Sequence, residues 1–592
     1  MFILEAPQSL SPRGGRNLVD IATSEKHGDD AIPRPVGDSE DVSPINDRAI
    51  SDEYQDGVAA VEATTLTWSK KDLIAAYAII WFIYFVASTE EVVVRSLTPF
   101  VTSSFGRHSL TATTNIMSSM IASLTKLPLA KILDTWGRPQ GLAVSLFLWV
   151  IGFVMMAACK NVETYAAAQV FSLTGAQAVS YCITIFIADT SSLMNRPLML
   201  AFATSPYIVT TWVGGPIADS VIAGPGWRWG FGIWAIVTPV VVIPLIALFL
   251  VKQKTAEKAG LLARREKKPI TPKSIIDYCI EVDLVGIILL AAGMALTLLP
   301  FTLYSQQHKS WQSPMIIAML VIGPCLLIAF ALYEKFLAPV KFIPMHLLTD
   351  RTVFTGGMMF FFIFFNSSVW GSYFTSMLVV VWDQGVTKST YISNIYRVGS
   401  CFAAIFIGYF VKWTGRFKWV ATIYGIPLMM LGVGLLIHFR MASQSIGFIV
   451  MTQIFIAFAG GPIVIAGEMA MMAPLSRQYI AVIIAILDLF SGMGTAIGST
   501  VSTAVWTSNF RSNLEKYTPP GTAIDGIFGS LYTQLAYKTG NPIRTGINAA
   551  YADTQRLMAI VSTCGIAAAW VMAWLWRDIK LKDIKQVKGT VF

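Results

Sequence analysis

The sequence predicts an all-α membrane protein in which fourteen transmembrane helices form two six-helix bundles, with two further helices inserted between them. Composition is the first reason. Of 592 residues, 54% are hydrophobic and 13% charged, and the mean hydropathy is +0.60. A chain of this length in water needs far more polar surface, so lipid is the solvent for most of it. Segmentation is the second reason. From Leu73 onward the chain divides into fourteen apolar runs, each long enough to cross about 30 Å of hydrocarbon as a helix. An internal echo is the third: Asp134-Thr135-Trp136-Gly137-Arg138 follows the second run, and Lys412-Trp413-Thr414-Gly415-Arg416 follows the tenth.

Taken in order, residues 1–68 hold thirteen acids against five bases and lack a charged start followed by an apolar run. They read as a disordered acidic cytoplasmic tail, not a signal peptide. The first bundle, 69–251, holds expected spans at 73–101, 110–133, 141–159, 165–188, 198–222 and 230–251. A basic cytoplasmic loop, 252–283, follows, with eight bases between 252 and 274. The inserted helices are expected at 284–304 and 315–333, within 284–345. The second bundle, 346–576, holds spans at 353–381, 390–411, 419–439, 446–473, 480–507 and 557–576, with a long outer loop at 509–556. Residues 577–592 form a basic cytoplasmic tail. Removing the two inserted spans puts the repeated Gly-Arg turns in register, as in transporters built from internal repeats around a midplane cavity.

Charge sets the expected topology. The first 68 residues carry −8 of a chain total of +9, so the remainder carries +17. Those bases cluster at Lys70 and Lys71, in 252–274, and from Arg577 to Lys588, whereas loops on the other face offer about one base each (Lys160, Arg228, Lys309). Lys/Arg-rich loops stay inside, so both termini are expected in the cytoplasm, and the positive excess reflects topology rather than nucleic-acid binding. The six cysteines stand singly with no CxxC pair, which argues against disulfides and a structural metal.

The Asp134–Arg138 turn and its echo resemble the loop signature of the major facilitator superfamily. An aspartate and an arginine one turn apart can bridge helix ends, which makes Asp134, Gly137 and Arg138, with Gly415 and Arg416 in the echo, a candidate conformational latch. Lys412 stands where the echo needs an acid, so the two turns are unequal. The block Ile187-Ala188-Asp189 to Asn195-Arg196-Pro197, running on to Ser205-Pro206-Tyr207, is similar to the fungal siderophore-iron transporters, a fourteen-span subfamily. So are Gly226-Trp227-Arg228-Trp229-Gly230, Phe342-Ile343-Pro344, Asp350-Arg351-Thr352-Val353, Gly529 to Tyr532, and Ala550-Tyr551 to Gln555-Arg556. What the resemblance implies is import of a ferric siderophore by proton symport, in a multi-pass protein of the plasma membrane or, alternatively, of an endosome or vacuole.

The residues suit that cargo on their own terms. Free-iron transport calls for clustered carboxylates or histidines, yet His27, His108, His308, His346 and His438 are scattered. Iron already caged in an organic chelate needs no protein ligand and no cofactor, only a wide pocket with aromatic and hydrogen-bonding walls. Candidate walls are Tyr207 and Trp212 in span five, Asn366, Trp370 and Tyr373 in span nine, and Tyr391, Tyr396 and Arg397 in span ten. Charges within the membrane are costly, roughly 2.5–3.5 kcal/mol for an aspartate at a helix centre, so each needs a reason. Glu90, Glu91, Glu468 and Asp488 are the candidate proton-coupling groups. Glu91 and Arg95 share a helix face, and Lys126 is placed to meet a span-one acid if the helices bring them level. Tyr532 and Tyr537 mark the outer loop, expected to cover the outer opening.

The expected partners are a ferric siderophore, protons and the lipid bilayer, with no nucleic acid, and the chain is expected to be a monomer. A multidrug–proton antiporter is the main alternative, since Gly214-Gly215-Pro216 resembles part of such exporters' Gly-Pro motif. Proton-coupled glutathione exchange is another. A non-transporting receptor would call for a larger folded cytoplasmic domain than the 68-residue tail. No loop holds a nucleophile–base pair or a nucleotide-binding glycine turn, so an enzyme is not expected.

Overall fold

Helices dominate the described residues because short polar caps punctuate long apolar runs. Asn161 accepts from the Thr164 N–H to start one helix, Asp350 accepts from Thr352 and Val353 N–H to start another, and Ser445 and Asn541 do the same further on. The computed structural model describes residues 67–104, 137–260, 283–304, 309–339, 345–475, 479–529 and 531–581, with isolated positions between them. All lie in one compact unit, residues 43–592. The acidic tail before Thr64, most of span 110–133 and residues 582–592 of the basic tail fall outside the described residues.

The first half comprises α1 (Lys70–Ser104), α2 (Arg138–Ala158), α3 (Val162–Thr190), α4 (Arg196–Thr204), α5 (Tyr207–Ala223) and α6 (Trp227–Lys258). Then come α7 (Leu284–Leu298) and α8 (Pro314–Phe336). The second half comprises α9 (Arg351–Gly371), α10 (Phe374–Val381), α11 (Val386–Thr414), α12 (Ile426–Phe439), α13 (Ile446–Met472), α14 (Ile480–Tyr517), two short helices α15 (Ile524–Gly529) and α16 (Leu531–Ala536), and α17 (Pro542–Trp574). Among the described residues, 11 helices are long and apolar enough to cross a membrane.

Three expected spans differ from single long helices. Span 198–222 is two helices, α4 and α5, because Pro206 has no N–H to continue the ladder. Span 284–304 stops at Leu298 and resumes as a four-residue helix at Pro300. Span 353–381 breaks at Tyr373, whose φ is 56°, in the left-handed region. The outer loop is also shorter than expected. Helix α14 continues to Tyr517 and α17 begins at Pro542, so only 518–541 connects them. The extra turns are held by a second hydrophobic core in which Trp506, Phe510 and Leu514 meet Ile527, Ile547 and Tyr551. On the other side, Lys252, Lys254 and Lys258 of the expected basic loop belong to α6.

In the first half α1 packs on α5 and α6, and α2 packs on α3 and α6. In the second, α9 packs on α14 and α17, and α13 packs on α11 and α12. The halves meet where α11 runs along α4 and α5 and where α3 touches α14. Helices α7 and α8 form a hairpin, and α7 also touches α14. The start of α1 lies at the end of the molecule that carries the Gly-Arg turns: Trp68 packs on Phe186 and Phe249, and Asp72 pairs with Lys252 at 2.5 Å. The opposite end, where Arg95 and Trp227 lie, is the far end.

Candidate transport site

Two antiparallel helices make one wall of a polar cavity. Tyr84 of α1 stands opposite Ser180 of α3, hydroxyl to hydroxyl at 3.1 Å. Fourteen residues along, Thr98 stands opposite Tyr165 at 3.2 Å. Between these points lies a cavity of about 570 Å³, into which α1 presents Glu90, Glu91 and Arg95 and α3 presents Gln169, Gln177 and Ser180. Tyr207 of α5 completes the wall.

Glu91 is tied twice. Its Oε1 accepts from Arg95 at 3.0 Å along the same helix and from Arg397 of α11 at 2.5 Å. The Arg397 guanidinium also lies 4.9 Å from the centre of the Tyr207 ring, a cation–π arrangement. One ion pair therefore joins the halves, with an aromatic floor from α5. Glu90, adjacent in sequence, is only 7% exposed. Successive helix positions point about 100° apart, and among the described residues no ion pair reaches Glu90. Two neighbouring carboxyls thus differ in kind: Glu91 is held by two guanidiniums, while Glu90 faces the cavity without one.

A second cross-half pair lies nearer the Gly-Arg end. Lys126 Nζ meets Asp488 Oδ2 of α14 at 2.9 Å. A span-one acid could meet Lys126 only if the helices brought the two level; its ion-pair partner is Asp488 of α14. Glu468 lies on α13, which packs on α14, and Tyr84 lines the cavity at the end nearer the Gly-Arg turns. Close by, the Tyr181 hydroxyl donates to the Ala481 carbonyl, a further bond from α3 to α14.

The Gly-Arg turns are built differently. Gly137, with φ 105°, precedes α2 as its N-cap, whereas Gly415, with φ 70°, closes α11 by donating to Val411 O at 2.8 Å. Both conformations favour glycine. Arg138 forms a buried ion pair with Asp189 at the end of α3, Nε to Oδ2 at 3.1 Å, and the following turn is fixed by Arg196 donating to Ala188 O at 2.8 Å. Asp134 lies outside the described residues. Arg416 pairs instead with Asp578, at 3.5 Å.

A family profile described as Major Facilitator Superfamily matches residues 80–338. An Ajellomyces capsulatus protein named MFS siderochrome iron transporter 1 is 51% identical over 92% of this chain and 92% of its own length. The chain belongs to the siderochrome iron transporters of the major facilitator superfamily. Aspergillus fumigatus MFS siderochrome iron transporter D is 40% identical over 92% of this chain and 91% of its own. Emericella nidulans siderophore iron transporter mirB is 35% identical over 92% and 91%.

In this transporter the expected pocket residues fall into separate places. Tyr207 and Arg397 lie with Glu91 beside the cavity. Trp212 and Tyr391 meet across the halves with ring centres 4.9 Å apart, beside a smaller apolar cavity of about 170 Å³. Asn366, Trp370 and Tyr373 lie within helix packing rather than on the large cavity. Asn366 is fully buried, donating to Met429 Sδ at 3.5 Å and accepting from the Ser562 hydroxyl. Trp370 meets Phe374 and the edge of Tyr396, and Tyr373 stacks on Trp506 at 4.0 Å. Tyr396 also packs against Gly460. In the outer segment, Tyr537 gives its carbonyl to Arg544 at 3.1 Å, and the Tyr532 side chain lies outside the described residues.

Sequence reasoning missed Tyr84 and the polar face of α3. Gln169, Ser172, Gln177 and Ser180 recur at helical spacing within an otherwise apolar run, and that stripe was the available signal.

Proposed function

We propose that this transporter imports ferric siderophore chelates by proton symport, and that Glu90 is the group that carries the proton. The juxtaposition of Glu90 with the Glu91–Arg397 pair, in the wall of one polar cavity, supports this reading most strongly. The names of the relatives support the cargo. The iron arrives as a chelate, so no resident cofactor or metal site takes part, and the chain acts as a carrier rather than an enzyme. Amides and hydroxyls of Gln169, Gln177, Ser180 and Tyr84 offer hydrogen bonds to a polar chelate.

In the proposed cycle, Glu90 takes a proton from the far end and the chelate seats against α1 and α3. The Glu91–Arg397 tie holds the halves together in one state and parts in the other, while the Lys126–Asp488 pair does the same nearer the Gly-Arg end. A membrane potential of 100 mV adds about 2.3 kcal/mol for each charge carried inward. Segment 518–541 covers the far-end opening. We place the far end outside the cell, both termini in the cytoplasm and the monomer in the plasma membrane, with the bundles divided six, two and six.

Labelled-iron uptake tests this in a fungal strain lacking its own siderophore transport, over a panel of ferric chelates with and without a protonophore. Accumulation that the protonophore abolishes is the expected result. Accumulation insensitive to it would refute symport, and no accumulation of any chelate despite surface expression would favour an exporter.

A further inference from the structure

The second Gly-Arg turn lacks an acid in its own loop, because Lys412 stands at that position and is exposed. The segment following α17 supplies one. Helix α17 stops at Trp574, and the next residues run back over the end of the second half. Trp576 and Leu581 are each 1% exposed and belong to the main hydrophobic core. Between them, Asp578 reaches Arg416 at 3.5 Å.

Backbone groups reinforce the contact. The Leu581 N–H donates to Gly415 O at 2.9 Å, gripping the residue that ends α11. Lys418 Nζ donates to Trp574 O at 3.0 Å and to Trp576 O at 2.6 Å. Arg577 pairs with Asp350, the cap of α9, at 3.3 Å, and its N–H donates to Thr352 Oγ1 at 3.2 Å. The segment thus links the end of α17, the start of α9 and the turn after α11.

That turn lies two helical turns from a cross-half contact. A Cβ on Gly408 of α11 would lie 3.0 Å from the Leu198 Cα of α4, so the two backbones pass closely enough there that even a methyl group would push α4 away by a few tenths of an ångström. On the α4 side, Arg138–Asp189 and Arg196–Ala188 fix the approach. On the α11 side the fixing groups are Asp578 and Leu581.

We propose that Asp578 is a positioning residue for transport: it replaces the acid missing from the second Gly-Arg turn, and through Arg416 it sets α11 for closure against α4. The proposal rests on the transport reading for its role in the cycle, while its geometry stands apart from cargo. The cross-half distance is open to measurement because α4 and α11 pack along one another, with Thr204 on the first and Cys401 on the second.

The experiment uses the full chain carrying Thr204→Cys in membranes, with Cys401→Ser as the control, and follows oxidative cross-linking of positions 204 and 401 by mass spectrometry. Asp578→Asn should slow cross-linking about two- to fivefold, the range for losing one exposed ion pair. Arg416→Asp combined with Asp578→Arg should restore it. Uptake by Asp578→Asn should show a lower maximal rate at unchanged KM. Cross-linking at the parent rate in both Asp578→Asn and a chain ending at Arg577 would overturn the proposal; should the shortened chain fail to fold, the Asp578→Asn rate decides. A parent protein that carries no chelate, yet cross-links in an Asp578-dependent way, would sink the import reading and leave this one standing.

Discussion

Glu91 of α1 and Arg397 of α11, 306 positions apart, form an ion pair of 2.5 Å that ties one half of the transporter to the other. The same guanidinium rests on Tyr207, so α1, α5 and α11 converge on one charge. A hydrogen bond to a charged group is worth about 1.5–3 kcal/mol, and 1.4 kcal/mol is a tenfold change in an equilibrium. Arg397→Ala should therefore lower chelate uptake by about tenfold or more at normal surface expression. Reversing the pair, Glu91→Arg with Arg397→Glu, should recover part of it. Wild-type uptake by Arg397→Ala would show that the tie has no part in the cycle.

The Lys126–Asp488 pair should reveal itself in stability. Removing one partner of a buried pair strands the other, at a cost of about 3–5 kcal/mol. Asp488 keeps 24% of its side chain exposed, so the low end of that range applies. Lys126→Ala should lower the thermal midpoint in detergent, and adding Asp488→Leu should recover most of the loss. If the double variant melts below the single one, the two side chains are not coupled as the geometry requires.

Arg544 should decide whether segment 518–541 stays docked. Its guanidinium donates to Val380 O at 2.7 and 3.1 Å, to Gln534 O at 2.7 Å and to Tyr537 O at 3.1 Å. A lysine cannot reproduce that fork. Both Arg544→Ala and Arg544→Lys should expose 518–541 to protease in membranes, alanine more than lysine. Equal protection in all three proteins would mean that the second hydrophobic core alone holds the segment.

Hydropathy located most of the helices because apolar length is a local property. It could not find the extra turns of α14 and α17, where Asn509, Arg511, Asn513 and Glu515 break the apolar run. The 506, 510, 514 spacing of Trp, Phe and Leu did mark a helical face there, but its partner core comes from 527 to 551. The break at Tyr373 was hidden for another reason: a tyrosine at φ 56° leaves no mark in the sequence.

The site divides along the same line. Glu91 with Arg95 was legible because four positions on a helix make neighbours. Arg397, Asp488 and Asp578 found partners in distant elements, and no local pattern gives such pairings. Arg138 pointed toward a latch, yet its described partner is Asp189, brought to it by the α2–α3 hairpin.

The central claim is that proton entry through Glu90 drives chelate accumulation. Its most direct test compares wild type and Glu90→Gln in proteoliposomes, measuring both uptake under an imposed pH gradient and chelate exchange with no gradient. Because Glu90 lies beside the Glu91–Arg397 tie and makes no ion pair among the described residues, the account predicts that Glu90→Gln loses gradient-driven accumulation and retains exchange. Full gradient-driven accumulation by Glu90→Gln would contradict it.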